Sequence, residues 1–512
     1  MQPFFATRSL PDETATMALG HELSLIARTG DLILLQGDLG SGKTSLARGF
    51  IRAVVGNSKL DVPSPTFSLI QAYDSGRMKL AHVDLYRINS ADEILELGFY
   101  ELTADHAVLV EWPVLLGASL PQDRLLIILG HQDSGRKAEL TGFGNWSTRL
   151  ERLESLRGFL ARSEWAECER SFFEGDASTR RYERLKQAER HAVLMDMRKH
   201  PDGPPVRHGK PYSAIAHLAE DVRAVVALNN GLRARGLSAP EIFLADMELG
   251  FLIIEDLGDL VYGRMSDAGK PISDQLLAAV KLLADMAAQD WPRELPIGHG
   301  LVYRVPDYDQ EALEIEAELL LDWFWPLVHG KPAPDNVRQE FLTTWRALWP
   351  HVRTPKPVWT LRDYHSPNLL WLADRRDTAR VGLIDTQDAV MGHPAYDLAS
   401  LLQDARVLVP EEVATDYLDY YCSYRAAAEP DFDEQLFRRA FVILSTQRIT
   451  KILGIFARLS QRDGKHQYLR HVGKLNRYLE TNLSNPVLAD LKDWYGRHLP
   501  VHLREKIINP GR

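Results

Sequence analysis

Residues 31–44, DLILLQGDLGSGKT, run an apolar segment straight into a glycine-rich turn of the form G-x-x-x-x-G-K-[ST]. The pattern has weight because of its context: a buried strand before it and a helix-forming stretch, Thr44–Val55, after it. Glycines at 37, 40 and 42 let backbone N–H groups wrap phosphate oxygens, and a helix N-terminus adds positive potential. Gly37, Asp38, Leu39, Gly40, Ser41, Gly42, Lys43 and Thr44 are therefore expected to bind a nucleotide. Lys43 reaches the β/γ-phosphates in this reading, and Thr44 holds Mg²⁺. Apolar runs at Lys79–Leu85, His106–Trp112 and Arg124–Leu129 alternate with helical stretches. This predicts an α/β P-loop NTPase domain over residues 1–155.

Two further strands end in acids. His82-Val83-Asp84-Leu85-Tyr86-Arg87 presents Asp84, and Val108-Leu109-Val110-Glu111-Trp112-Pro113 presents Glu111. Beside a P-loop such acids hold Mg²⁺ or orient an attacking water. Taken singly, each reads as a strand-end acid in solvent. Between them and the P-loop lies a proline-stiffened loop with two hydroxyls, Val62-Pro63-Ser64-Pro65-Thr66-Phe67.

These four segments occur in the order GDLGSGKT, SPTF, HVDLYR, EWP, and together they resemble the bacterial TsaE family, the ATPase of tRNA threonylcarbamoyladenosine biosynthesis. The resemblance implies that Lys43 and Thr44 bind ATP and Mg²⁺, and that Ser64-Pro65-Thr66 is a switch-like loop. It also implies that Asp84 and Glu111 are catalytic and metal-binding, with Trp112 beside the nucleotide. It implies partners as well, the proteins that transfer the threonylcarbamoyl group.

Charge agrees with a role through proteins. The chain carries a net −10, and its first 150 residues hold 13 Lys+Arg against 17 Asp+Glu. Strong direct binding to nucleic acid is not expected from such a balance. The two cysteines, Cys168 and Cys422, exclude a disulfide scaffold. The start is polar, and no run approaches the ~20 apolar residues that span a bilayer. A cytoplasmic protein without a membrane role is expected. At 512 residues there is room for two to four domains, and 45% hydrophobic residues suffice for a core in each.

Residues 150–170 are charged and helix-prone, so the junction is placed between Gly142 and Glu164, with a helix as the coupling. A second domain is predicted over 160–512. Its strand-rich lobe runs from about 165 to 258, and its mostly helical lobe from about 259 to 512. Asp274–Gln289 and Glu434–Leu459 are amphipathic, and Trp359–Asp385 reads as strand, turn, strand.

Leu361-Arg362-Asp363-Tyr364-His365-Ser366-Pro367-Asn368 sets an Asp and an Asn five apart on a loop entering an apolar strand. That is the catalytic-loop spacing of kinase-like phosphotransferases. Asp363 is the expected base, Asn368 a metal ligand, and Asp385, delivered by Val381-Gly382-Leu383-Ile384, the bridge from Mg²⁺ to the phosphates. Phe251–Gly258 is the expected adenine-binding hinge, with Glu255 and Leu257 at the nucleotide.

Residues 172–480 resemble the aminoglycoside phosphotransferase superfamily, with a two-lobed, protein-kinase-like α+β fold. The segments GDASTRRY (175–182), GFLIIEDLGD (250–259), RDYHSPNLL (362–370), LIDTQDAVMGHPAYDLASLLQDAR (383–406) and QRITKILGIFARLSQRDGK (447–465) look closest to cell-wall sugar kinases of the AmgK type. That resemblance implies ATP-dependent phosphorylation of the anomeric hydroxyl of N-acetylmuramate or N-acetylglucosamine, in cell-wall recycling. It makes Asp397 a structural support of the catalytic loop. Two departures stand out. Leu361 occupies a position where many relatives have His, and the strand His191–Asp196 lacks the phosphate-binding Lys, for which Arg180, Arg181 or Lys199 are the substitutes in view. An aminoglycoside or other small-alcohol phosphotransferase, and a non-catalytic scaffold, are the competing readings. Arg448, Lys451 and Arg458 recur at helical spacing, the pattern of a salt-bridged face or of a row that binds a substrate carboxylate.

Overall fold

The computed structural model describes residues 2–132, 134–173, 180–199, 203–298, 300–354 and 356–507. It divides into two compact units, Met1–Met195 and Asp196–Arg512.

The first unit is built on a seven-stranded sheet in the order β1-β7-β6-β2-β5-β4-β3. The strands are β1 (Phe4–Leu10), β2 (Leu32–Gly37), β3 (Ile70–Asp74), β4 (Lys79–Asp84), β5 (His106–Glu111), β6 (Arg124–Gln132) and β7 (Gly135–Phe143). β2 runs parallel to β5 and β6, and β4 parallel to β5. The flanks are antiparallel: β3 on β4, and β7 on both β6 and β1. The alternating pattern predicts the parallel centre. The β3/β4 and β6/β7 pairs are hairpins, which need only short turns, whereas β1 joins β7 from the far end of the domain sequence. β2 is buried on both faces. Ile33 and Leu35 enter one core with Leu46 and Phe50, while Leu32 and Leu34 enter the other with Val83 and Val110. This explains its unbroken apolar run.

Helix α1 (Glu13–Ile26) packs tightly on α2 (Lys43–Val55). A Cβ at Gly20 would lie 2.1 Å from the Leu46 carbonyl oxygen, and one at Gly49 2.1 Å from that of Met17. Glycine at both positions lets the helix that carries Lys43 and Thr44 be clamped without a side chain between. Short helices α3 (Ala91–Glu96) and α4 (Phe99–Asp105) lead into β5.

The junction helix, α5 (Asn145–Leu160), starts earlier than its charge pattern predicts and stops sooner. Residues 169–173 are already a strand, β8 (Glu169–Phe173), paired antiparallel with β9 (Arg181–Gln187) and followed by β10 (Arg190–Asp196). Within this unit β8 and β9 are tied to α1 by more than the helix. Arg170 donates to Glu183 on β9 at 2.7 Å and to Glu22 on α1 at 3.1 Å. Arg181 donates to the Leu25 carbonyl at 2.7 Å, and Arg77 lies 3.9 Å from the ring centroid of Phe172.

In the second unit the strands Ile242–Asp246 and Phe251–Glu255 form a hairpin. A helix, Val222–Arg233, precedes it inside the stretch that reads as strand-rich. Trp359–Asp385 is more than one strand-turn-strand: Val358–Thr360 pairs with Val390–Gly392, and Leu369–Trp371 with Val381–Leu383. Helix Glu434–Asp463 runs through the main core. It corrects one expectation, for it is apolar and long enough to cross a membrane by length and composition. However, 78% of the qualifying window is buried inside the fold.

Candidate active sites

The P-loop emerges from β2 and closes on the first turn of α2. Gly40 and Gly42 hold positive φ (78° and 103°), which only glycine adopts cheaply. Lys43 Nζ donates to the carbonyls of Gly37 (2.8 Å) and Asp38 (2.9 Å) and stands 3.8 Å from the ring centroid of Trp112. Burial lowers the Lys43 pKa, against the pull of Glu111, Asp84 and Asp38. Thr44 Oγ1 donates to Glu111 at 2.9 Å. Glu111 also meets His82 Nε2 at 2.9 Å, so a buried imidazole and a hydroxyl share one buried carboxylate. Asp84 accepts from Ser64 Oγ and, at 2.9 Å, from Tyr86 N–H. The Ser64 loop is thereby pinned to the strand-end acid. Trp112 sits at φ 60°, a left-handed conformation that costs a non-glycine residue energy and recurs where function demands it. Leu39 and Phe67 are exposed.

The fold thus brings Gly37, Asp38, Gly40, Ser41, Gly42, Lys43, Thr44, Asp84, Glu111 and Trp112 to one end of the parallel strands. It also adds two residues. His82 is embedded in the HVDLYR motif, and its contact with Glu111 is a reason for a histidine there. Arg136, on β7, carries no local motif. A Cβ on Gly42 would lie 3.2 Å from its Cδ and Nε, and among the described residues the buried Arg136 Nε has no hydrogen-bond partner. Only the antiparallel flank places this arginine against the P-loop.

In the second unit Asp363 follows Arg362, whose φ is 68°, and Asn368 Nδ2 donates to the Asp363 carbonyl at 3.0 Å. Ile384 N–H donates to the Asn368 carbonyl at 3.1 Å, which holds the two halves of the candidate site in register. Asp385 is also left-handed, at φ 61°, and accepts from Gln387 at 3.1 Å. Asp397 accepts from the N–H groups of Leu361 (2.6 Å) and Arg362 (2.9 Å), the supporting position expected of it. Burial raises its carboxyl pKa to about 7 against those hydrogen bonds. Burial also pushes the Asp363 carboxyl up, but His365, Lys451, Arg362 and Arg448 outweigh it and hold the carboxyl below its ordinary value. Asp363 is therefore ionised at neutral pH and able to accept a proton.

Beneath the loop lies a network that the sequence does not announce. Glu316 is fully buried and pairs with Arg362, with Lys451 at 2.8 Å, and with the Tyr308 hydroxyl. The Arg448/Lys451/Arg458 row is thus not one solvated face: Lys451 is spent on Glu316.

The hinge residues behave differently from one another. The Glu255 carboxylate binds Arg233 and Arg375, and its N–H donates to the Glu241 carbonyl at 2.8 Å. Both its side chain and its N–H are therefore engaged within the fold. Leu257 Cδ1 would lie 3.3 Å from a Cβ on Gly382, so it packs over the strand that delivers Asp385. Of the three substitutes for the missing lysine, Arg181 is engaged with Leu25, Lys199 is exposed and Arg180 is half-buried. Residues 175–179 of the GDASTRRY segment lie outside the described residues.

Among the described residues no group of three or more His, Cys, Asp or Glu gathers as a metal cage. Magnesium does not need one, since it keeps waters and substrate phosphates and takes one or two carboxylates from protein. The hard oxygen donors at 44, 84 and 111, and at 368 and 385, fit it.

Comparison with known proteins gives a family for each part of the chain. The family described as "Threonylcarbamoyl adenosine biosynthesis protein TsaE" matches residues 10–138, and the "Phosphotransferase enzyme family" matches residues 169–432. An N-acetylmuramate/N-acetylglucosamine kinase of Caulobacter vibrioides is 37% identical over 369 residues, covering 69% of this chain and 98% of that protein. The enzyme of the same name from Pseudomonas putida is 32% identical, covering 62% and 84%. A tRNA threonylcarbamoyladenosine biosynthesis protein TsaE of Bacillus subtilis is 39% identical over 137 residues, covering 26% of this chain and 83% of that protein. The chain belongs to the TsaE family through its N-terminal part and to the phosphotransferase enzyme family through the remainder.

Proposed function

We propose that this chain is bifunctional: an ATPase that supports threonylcarbamoyladenosine formation on tRNA, and an ATP-dependent kinase for the anomeric hydroxyl of N-acetylmuramate and N-acetylglucosamine. The observation that carries the kinase half is that Asn368 and Asp385 flank two hydrogen-bonded strands while Asp363 is tied to Asn368 through its carbonyl, in a chain that spans nearly the whole length of a sugar kinase. In the reaction the anomeric oxygen bonds to the γ-phosphorus of ATP, the bond from that phosphorus to the β–γ bridging oxygen breaks, and Asp363 takes the hydroxyl proton. Asn368 and Asp385 would hold Mg²⁺, which neutralises charge across the phosphates. Asp397 and Glu316 hold the loop from beneath, so that Asp363 keeps its aim.

In the N-terminal part, Gly37–Thr44 would cradle the phosphates of ATP, with Thr44, Asp84 and Glu111 as the metal-binding and water-orienting set. Trp112 would stand beside the nucleotide. The partners in this reading are the proteins of threonylcarbamoyl transfer, with no strong direct grip on nucleic acid, and the setting is the cytoplasm.

The test is phosphate-position assignment by NMR after turnover with N-acetylmuramate, N-acetylglucosamine and a panel of aminoglycosides. A phosphate on the anomeric oxygen of the amino sugars is expected. Turnover of aminoglycosides alone would move the kinase to the antibiotic-modifying class, and no metal-dependent ATP turnover by the kinase would make it a scaffold.

A further inference from the structure

Arg448 lies on helix Glu434–Asp463 and is 4% exposed. Among the described residues its side chain makes no hydrogen bond and no ion pair, and its Nη1 is sealed from solvent. Buried cations are paired as a rule, because an unpaired one forfeits its hydration for nothing.

Among the described residues no carboxylate, Asp363 included, forms an ion pair with it. Arg362 and Lys451 share Glu316 between them. Asp397 is occupied by the Leu361 and Arg362 N–H groups. Asp404 is occupied by the Ser366 and Arg406 N–H groups, at 2.8 and 2.7 Å. Yet Arg448 is close enough to bias the charge of Asp363, His365 and Asp397, the loop that aims the acceptor hydroxyl. Lys451, one turn along the same helix, reaches Glu316 and, at 3.5 Å, the Tyr396 hydroxyl, so this face of the helix is turned toward that loop.

We propose that Arg448 is the anion anchor of the acceptor site, binding the carboxylate of an acidic amino sugar and favouring it over the uncharged one. The inference rests on the sugar-kinase reading above and adds the residue that selects among the sugars. A guanidinium suits the task because its planar fork binds a carboxylate with two parallel hydrogen bonds. N-acetylmuramate carries a lactyl carboxylate and N-acetylglucosamine has none.

The experiment uses the full chain and three sugars: N-acetylmuramate, its neutral lactyl-carboxamide analogue and N-acetylglucosamine. Wild-type enzyme should prefer the acid to the amide by about tenfold or more in kcat/KM, the scale of a charged hydrogen bond. In Arg448→Met the ratio of N-acetylmuramate to N-acetylglucosamine kcat/KM should fall by about the same factor. The thermal shift that N-acetylmuramate induces should shrink with it. Unliganded Arg448→Met should melt no lower than wild type, since the substitution removes an unpaired buried charge. Wild type that treats acid and amide alike overturns the proposal whether or not the variant folds. So does a variant whose selectivity is unchanged, or whose defect lies in the KM for ATP. Wild type inert on all three sugars instead sinks the sugar-kinase reading, and this inference with it.

Discussion

Glu316 holds the guanidinium of Arg362, the residue immediately before Asp363, in an ion pair whose side chains are 0% and 1% exposed. The arginine's other nitrogen donates to the Ala216 carbonyl at 2.8 Å, and its backbone is left-handed. The aim of the candidate base is therefore set by a carboxylate 47 residues upstream in sequence, on a helix with no motif of its own.

Glu316→Gln should be costly to stability and activity together. It leaves Arg362 and Lys451 without their anion, and breaking a buried pair from one side typically costs about 3–5 kcal/mol. Denaturant melts should show a loss on this scale, and kcat should fall more than the affinity for ATP. Arg362→Met with Glu316→Leu should recover part of the stability and not the rate.

The same pair predicts an acid dependence. Burial pushes the Glu316 carboxyl up, but Arg362 and Lys451 prevail and bring it to about 2, below its ordinary 4.5. A depressed folded value means that the stabilisation is fully present above about pH 4.5 and is lost as pH falls toward 2. The stability difference between wild type and Glu316→Gln should accordingly narrow across that interval, and a constant difference would contradict the assignment.

Asp363→Asn and Asp385→Asn should fail differently. The first removes the proton acceptor while keeping its shape, so kcat should drop by about 10²–10⁴ with ATP affinity retained. The second weakens a metal ligand, so the loss should appear in the KM for Mg·ATP. Steady-state kinetics at varied ATP and magnesium separates them.

At the first site Lys43→Ala should abolish nucleotide binding and leave sugar phosphorylation intact. A fall of more than about tenfold in the sugar reaction would mean that the two sites are coupled. Arg136→Ala should raise the nucleotide Kd at this site by about tenfold, the scale of one charged hydrogen bond. Fluorescence of Trp112, which underlies Lys43, offers a readout for both.

The chemistry of both sites is written locally. The P-loop, the acids at 84 and 111, and the Asp363–Asn368 spacing are each contained within a strand and the turn that follows it. A turn needs particular residues to close around a phosphate or a metal, so the types and their spacing are readable without knowing what packs nearby. Other features depend on contacts between distant segments. Arg136 reaches the P-loop through an antiparallel flank, Glu316 reaches Arg362 across the core, and Arg181 is drawn to the end of α1. Arg136 and Glu316 have no periodicity or motif, and the motif that holds Arg181 does not say what it meets, because a contact between distant segments requires only that two groups come together. Even the Arg448/Lys451/Arg458 row, plain in the sequence as helical spacing, divides only in the fold. Lys451 finds a carboxylate and Arg448 does not, because burial and the positions of neighbouring acids are properties of the packed core.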